Sequence, residues 1–252
     1  MSGHSKWSTI KHGKAVTDAR RGKLFTKLTR EIITAARQGG GNPDMNIRLR
    51  MAVQKARDNN MPTDNVDRAI KRGTGEGSGQ DQMTEATYEG YAPGGTAILL
   101  QTLTDNPRRT VSDIRSTFTK AGGNLGEAGS VAWQFEQKGV LIVEADPERA
   151  EELALAAIDA GADEFDTYQS TLHVESAPEM MEGVRKTLAA LDVSIESFEL
   201  AMVPKNTVAL GKPVALQTLR LLDLLEELDD VQKVFSNADF PDEALEQYKR
   251  EA

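Results

Sequence analysis

The sequence predicts an α+β protein of three domains: an N-terminal three-helix module followed by two α/β domains of ferredoxin-like character, one inserted into the other. Three observations predict it. Apolar residues recur at helical spacing through the first 75 residues. Residues 140–202 alternate strand and helix patterns in the order βαββαβ. A Leu-rich helix pattern and a short strand near residues 213–236 are left over, and neither can bury its apolar face alone.

Residues 21–38 read as the first helix. At about 100° per residue, Leu24, Phe25, Leu28, Ile32, Ala35 and Ala36 fall on one side, and Lys23, Lys27, Arg30 and Arg37 on another. Gly39-Gly40-Gly41 ends it. Asn42-Pro43 is expected to restart the chain as a helix, with Asn as N-cap and Pro at the first helical position. Pro62-Thr63-Asp64 opens a third helix, acidic early and basic late, as the helix dipole favours. Gly73–Gln82 is a Gly-rich linker. No strand precedes it and it lacks the lysine of a phosphate loop.

Beyond the linker, Thr87–Tyr91 and Thr96–Thr102 form a hairpin around Pro93-Gly94-Gly95. A helix follows at 108–121 and a strand at Val131–Glu136. Gly122–Gly126 reads as a helix C-cap and turn. The second set comprises a strand at Val140–Glu144, a helix at 147–160, strands at Glu164–Tyr168 and Thr171–Glu175, a helix at 178–191 and a strand at 195–202. The economical arrangement makes residues 1–80 the helical domain. Residues 81–136 plus 205–252 then form a discontinuous α/β domain, with 137–204 inserted into it.

Charge is distributed unevenly. Residues 1–75 carry 16 Lys and Arg against 6 Asp and Glu, and the remainder carry 14 against 33. A basic module joined to an acidic body suits a polyanionic partner, with the acidic part limiting non-specific association. The candidate contacts are Lys6, Trp7, Lys11, Lys14, Arg20, Arg21, Lys23, Lys27 and Arg30. Lysines and arginines neutralise phosphates and release counterions. Trp7 either stacks on an unpaired base or packs onto the helical core.

Other chemistries find little support. The absence of cysteine excludes disulfides, thiolate zinc sites and cysteine nucleophiles, and suits a reducing cytoplasm. His4 and His12 have no carboxylate-histidine cluster around them, and His173 falls in a strand. Asp159, Asp163, Glu164 and Asp166 form an acidic patch with no accompanying nucleophile or base. No enzymatic constellation, cofactor or small-molecule substrate is therefore expected. The sequence has no apolar run of membrane-spanning length, and its N-terminus lacks the apolar region of a secretory signal.

Several strings are recognisable together: Gly3-His4-Ser5-Lys6-Trp7, Asp18-Ala19-Arg20-Arg21-Gly22-Lys23-Leu24-Phe25-Thr26-Lys27, Gly39–Pro43, Tyr88–Gly95, Thr104-Asp105-Asn106, Arg109-Thr110-Val111 and Gly122–Leu125. With them the sequence closely resembles the YebC family over nearly its whole length. Gly13 stands where the family's N-terminal run would carry a basic residue. The resemblance implies one helical and two α/β domains, one inserted in the other, and nucleic-acid binding without catalysis. It implies either DNA binding in transcriptional regulation or association with RNA or the ribosome in translation, as in the mitochondrial relative that activates translation of cytochrome oxidase.

Overall fold

In the computed structural model, residues 18–75 and 83–251 are described, with side chains from residue 21 onward. The chain divides into two compact units. One comprises 18–75, 83–130 and 217–234 among the described residues, the other 131–216 and 235–251.

The first unit begins with three helices, α1 (Asp18–Gly39), α2 (Ile47–Asp58) and α3 (Thr63–Gly73). Their apolar faces close on a core of Leu28, Ile32, Ile33, Ala35 and Ala36 from α1, Leu49, Ala52, Val53 and Ala56 from α2, and Val66 and Ala69 from α3. Burying a side chain such as Ile32 completely is worth about 1.5–3 kcal/mol. Helices α1 and α3 approach so closely that a Cβ on Gly73 would lie 2.6 Å from both the Ala36 Cβ and the Ile33 carbonyl oxygen. Here glycine serves close approach as well as helix termination.

Helix α2 starts later than the Asn42-Pro43 signal suggests. Its N-cap is Asn46, whose Oδ1 accepts from the Leu49 amide at 3.0 Å. The same side chain donates from Nδ2 to the Ala35 and Gly40 carbonyls at 2.8 and 2.9 Å. One buried amide thus ends α1 and begins α2. Asn42 instead makes a local turn, accepting from the Asp44 amide at 2.9 Å.

The sheet of this unit runs in the order β3-β1-β2-β9, from β1 (Thr84–Tyr91), β2 (Ala97–Thr104), β3 (Asn124–Leu125) and β9 (Val231–Ser236). β1 and β2 pair antiparallel from Thr84 opposite Thr104 to Tyr91 opposite Ala97. Helix α4 (Pro107–Lys120) buries Thr110, Ile114 and Phe118. The strand that completes the sheet thus comes from far down the chain, which the unfinished hairpin-helix pattern required.

The second unit holds β4 (Phe135–Glu144), α5 (Pro147–Asp159), β5 (Ala162–Tyr168), β6 (Thr171–Ser176), α6 (Met181–Ala189) and β7 (Ile195–Pro204). Sheet order β5-β6-β4-β7 with antiparallel pairings throughout is the ferredoxin-like topology. Leu141, Val143, Leu172 and Val174 of the sheet pack with Leu153, Ala157, Val184 and Leu188 of the helices.

Two sequence expectations merge in this unit. The strands anticipated at Val131–Glu136 and Val140–Glu144 are one ten-residue strand, β4, preceded by a turn of 3₁₀ helix at Ala132–Gln134. β7 pairs with β4 on both sides of Gly139, and a Cβ there would lie 2.4 Å from the Met181 Cβ. Short strands β8 (Val208–Ala209) and β10 (Ala238–Asp239) pair parallel. Helix α7 (Lys212–Glu226) precedes β9, and α8 (Asp242–Glu251), which the sequence reading did not anticipate, ends the described chain.

Candidate nucleic-acid interface

Of the nine residues expected to contact nucleic acid, Lys6, Trp7, Lys11 and Lys14 lie outside the described residues, as does the side chain of Arg20. Arg21 is exposed on the first turns of α1. The remaining three have definite partners within the unit. The Lys23 ammonium donates to the Glu227 carbonyl at 3.3 Å, the Lys27 ammonium to the Glu226 carbonyl, and Arg30 Nη1 to the Asp229 carbonyl at 2.8 Å. These carbonyls belong to the last residue of α7 and to the turn that follows it. Helix C-termini carry unsatisfied carbonyls and partial negative charge. The cationic stripe of α1 is therefore seated on the end of another helix.

Arg30 also reaches Asp230, with Nη1 to Oδ1 at 2.8 Å. Arg109 of α4 holds the other side of that carboxylate, Nη2 to Oδ2 at 2.9 Å. The Thr110 hydroxyl donates to Oδ2 at 2.8 Å and the Thr104 hydroxyl lies 3.2 Å from it. The Asp230 side chain is only 8% exposed. Burial pushes its carboxyl up, but hydrogen bonds from Arg109, Thr110 and Arg30, with the Arg109 charge, more than offset this and hold it below the ordinary carboxylate value. Burial, and then the Asp230 charge, pushes the nearby Tyr88 hydroxyl up. A single carboxylate thus joins α1 to α4 and the sheet. A second tie runs from Arg48 to Glu31, at 2.7 Å, and to Glu85 of β1, at 2.6 Å.

Exposed cations remain elsewhere in the unit. Arg57 and Lys71 lie in the last turns of α2 and α3. Arg108, Arg115 and Lys120 lie on α4, and none of them is among the nine candidate contacts. Their signal was present in the sequence as a helix with four cations and one acid.

The second unit has the opposite character. A cavity of about 410 Å³ at one end of its sheet is lined by Glu144, Asp146, Asp192 and Glu196, with Arg149 among them. The acidic residues Asp163, Glu164 and Asp166 stand on β5, where Lys138 lies 3.7 Å from Asp163 and 3.8 Å from Glu175. His173 is buried within β6. Among the described residues no group of three or more His, Asp or Glu is arranged to hold a metal ion. No helix among them is long and apolar enough to cross a membrane.

A helical module on an α+β scaffold, with acidic residues gathered in the other unit, defines a multidomain α+β protein of uneven charge. The chain belongs to the YebC family. Residues 5–76 match the model of the TACO1/YebC protein N-terminal domain, and residues 83–238 match that of the TACO1/YebC second and third domain. It is 54% identical over 252 residues to a probable transcriptional regulatory protein of Dehalococcoides mccartyi, covering 100% of both chains. It is 52% identical over 245 residues to one from Rubrobacter xylanophilus, covering 97% of this chain and 98% of the relative. The crystal structure of a conserved hypothetical protein from Aquifex aeolicus superposes with a TM-score of 0.85 at 46% identity, over 94% of this chain and 97% of that one.

Proposed function

We propose that the protein is a DNA-binding regulator of transcription that acts without catalysis, holding the phosphate backbone through its basic helical module. The observation that carries this reading is the concentration of 16 Lys and Arg against 6 acids in residues 1–75 of a chain whose net charge is −9. Regulation is also what the names of its relatives state, as probable transcriptional regulatory proteins. Lys6, Trp7, Lys11, Lys14, Arg20 and Arg21 supply the direct contacts in this reading. Lys23, Lys27 and Arg30 hold the end of α7 and add to the field. The reading has no small-molecule substrate and no cofactor. With no cysteine in the chain, it places the protein in a reducing cytoplasm.

One observation favours a second reading, binding to RNA or the ribosome in translation. Lys23, Lys27 and Arg30 of α1 are seated on residues 226–230. Helix α1 is not presented as a major-groove reading helix. Crosslinking in living cells, purification under denaturing conditions and sequencing of the attached nucleic acid separates the two. Promoter-enriched DNA supports the first. Ribosomal RNA from one confined region supports the second and removes the first.

A further inference from the structure

We propose that the exposed face of α4 is a second contact, on the first α/β sheet domain, for the phosphate backbone of double-stranded DNA. The inference rests on the reading that the protein binds nucleic acid. Helix α4 carries Arg108, Arg109, Arg115 and Lys120 against the single acid Asp113. Among the described helices beyond the helical module this is the largest excess: α5 carries one cation against four acids, α6 two against one, α7 two against two and α8 two against four.

The three arginines have different fates. Arg109 turns inward to Asp230 and Asp105. Arg108 and Arg115 make no side-chain hydrogen bond or ion pair among the described residues, and both are exposed. At about 100° per residue, Arg108, Ser112, Arg115 and Thr119 fall within one narrow stripe, turned away from the buried Thr110, Ile114 and Phe118. All four stripe residues are exposed. Asp113 falls off the stripe.

The stripe suits a duplex backbone. Arg108 and Arg115 are separated by roughly 10.5 Å along the helix, about three base-pair steps of one strand. Guanidinium groups donate two parallel hydrogen bonds to phosphate oxygens. The hydroxyl of Ser112 supplies a weaker donor of the kind that commonly accompanies them, whereas that of Thr119 donates to the Arg115 carbonyl at 2.9 Å. The stripe has no aromatic residue, so it offers no stacking platform of the kind that single strands use. Asp230 holds Arg30 and Arg109 together. The N-terminus of α4 is thereby tied to helix α1.

The test uses the full chain and a fluorescein-labelled duplex of about 30 base pairs, with binding followed by anisotropy from about 50 to 200 mM salt. In Arg108→Gln/Arg115→Gln, log K against log salt should become shallower by about 1.8, because each lost phosphate contact removes about 0.9. The loss should be the same for duplexes of different sequence. Lys249→Gln/Arg250→Gln on α8 removes the same charge and should leave the slope unchanged. Ser112→Glu, an exposed single change, should weaken binding without altering the melting curve. If the wild type binds and the arginine variant keeps its full slope, the α4 contact is overturned while the proposed function stands. A loss of slope seen only with single-stranded RNA overturns the duplex assignment. If the wild type binds no nucleic acid, the proposed function falls, and the α4 contact with it.

Discussion

Asp230 is the residue whose removal should most affect how the helical module is held to the first sheet. Its carboxylate receives Arg30, Arg109, Thr110 and Thr104, and its side chain is 8% exposed. Breaking one partner from a buried ion pair costs about 3–5 kcal/mol when the other charge is left buried. Here the arginines are not trapped. Arg30 is 18% exposed and Arg109 46%, so water recovers part of the loss. Thr104 and Thr110 keep a hydrogen bond to each other at 2.8 Å. Asp230→Ala should therefore cost about 2–3 kcal/mol at neutral pH, and Asp230→Asn, which retains an acceptor, about 1–2. Urea unfolding followed by circular dichroism measures both.

The pH dependence sharpens this test. The folded Asp230 carboxyl titrates below its ordinary value. Its stabilising contribution is fully present above about pH 4 and is lost as pH falls through the folded value. The gap between wild type and Asp230→Asn should be widest at neutral pH and close as the solution is acidified below about pH 4. A gap that is absent at pH 7, or that stays constant on acidification, would refute the reasoning.

Other consequences follow from the same kind of accounting. Asn46→Asp keeps the Oδ1 cap of α2 but loses the donors to Ala35 and Gly40, whereas Asn46→Ala loses both. Thermal melts should rank wild type above Asp and Asp above Ala, with the cap alone worth about 1 kcal/mol. Gly73→Ala should destabilise by about 1–3 kcal/mol in urea titration despite alanine's better helix propensity, because its Cβ would meet the Ile33 carbonyl at 2.6 Å. The Glu175 carboxyl is pushed up by burial, partly offset by Lys138, with Glu164, Asp163 and Asp166 raising it further. Its ionisation therefore opposes folding: the contribution is favourable below the ordinary carboxylate value and is lost as pH rises through the folded one. Glu175→Gln should melt higher than wild type at neutral pH, and the difference should vanish in acid.

Much of this fold was legible because its signals are local. The stripe from Leu24 to Ala36 became the buried face of α1. Pro62 and Gly73 bracketed α3, and alternating strands and helices gave the ferredoxin-like topology. The misreadings occurred where tertiary contact decides. Asn42-Pro43 is a respectable helix start, but Asn46 prevails because its amide also closes α1. The strands expected separately at Val131–Glu136 and Val140–Glu144 run together through Gly139, where a Cβ would lie 2.4 Å from the Met181 Cβ. Helix α8 offers only Ala244, Leu245 and Tyr248 as a buried pattern, too few apolar positions to stand out.

The candidate interface was legible in charge but not in direction. A polar stripe satisfies sequence logic equally well whether it faces solvent, a phosphate or the carbonyls at the end of another helix. Lys23, Lys27 and Arg30 have the last of these. Their partners lie about 200 residues away in sequence, and backbone carbonyls have no residue-type signature. Arg108 and Arg115 stand outside the nine candidate contacts because acidic surroundings in sequence conceal a locally basic helix.

The most direct measurement of the central claim is the salt dependence of nucleic-acid binding by the intact chain. Binding through a phosphate-tracking basic surface predicts a straight, steep fall of log K with log salt, similar for unrelated sequences and steeper than −4 if about five phosphates are engaged. A flat dependence, or no binding at about 50 mM salt, would contradict it. The charge asymmetry would then belong to a protein-protein surface.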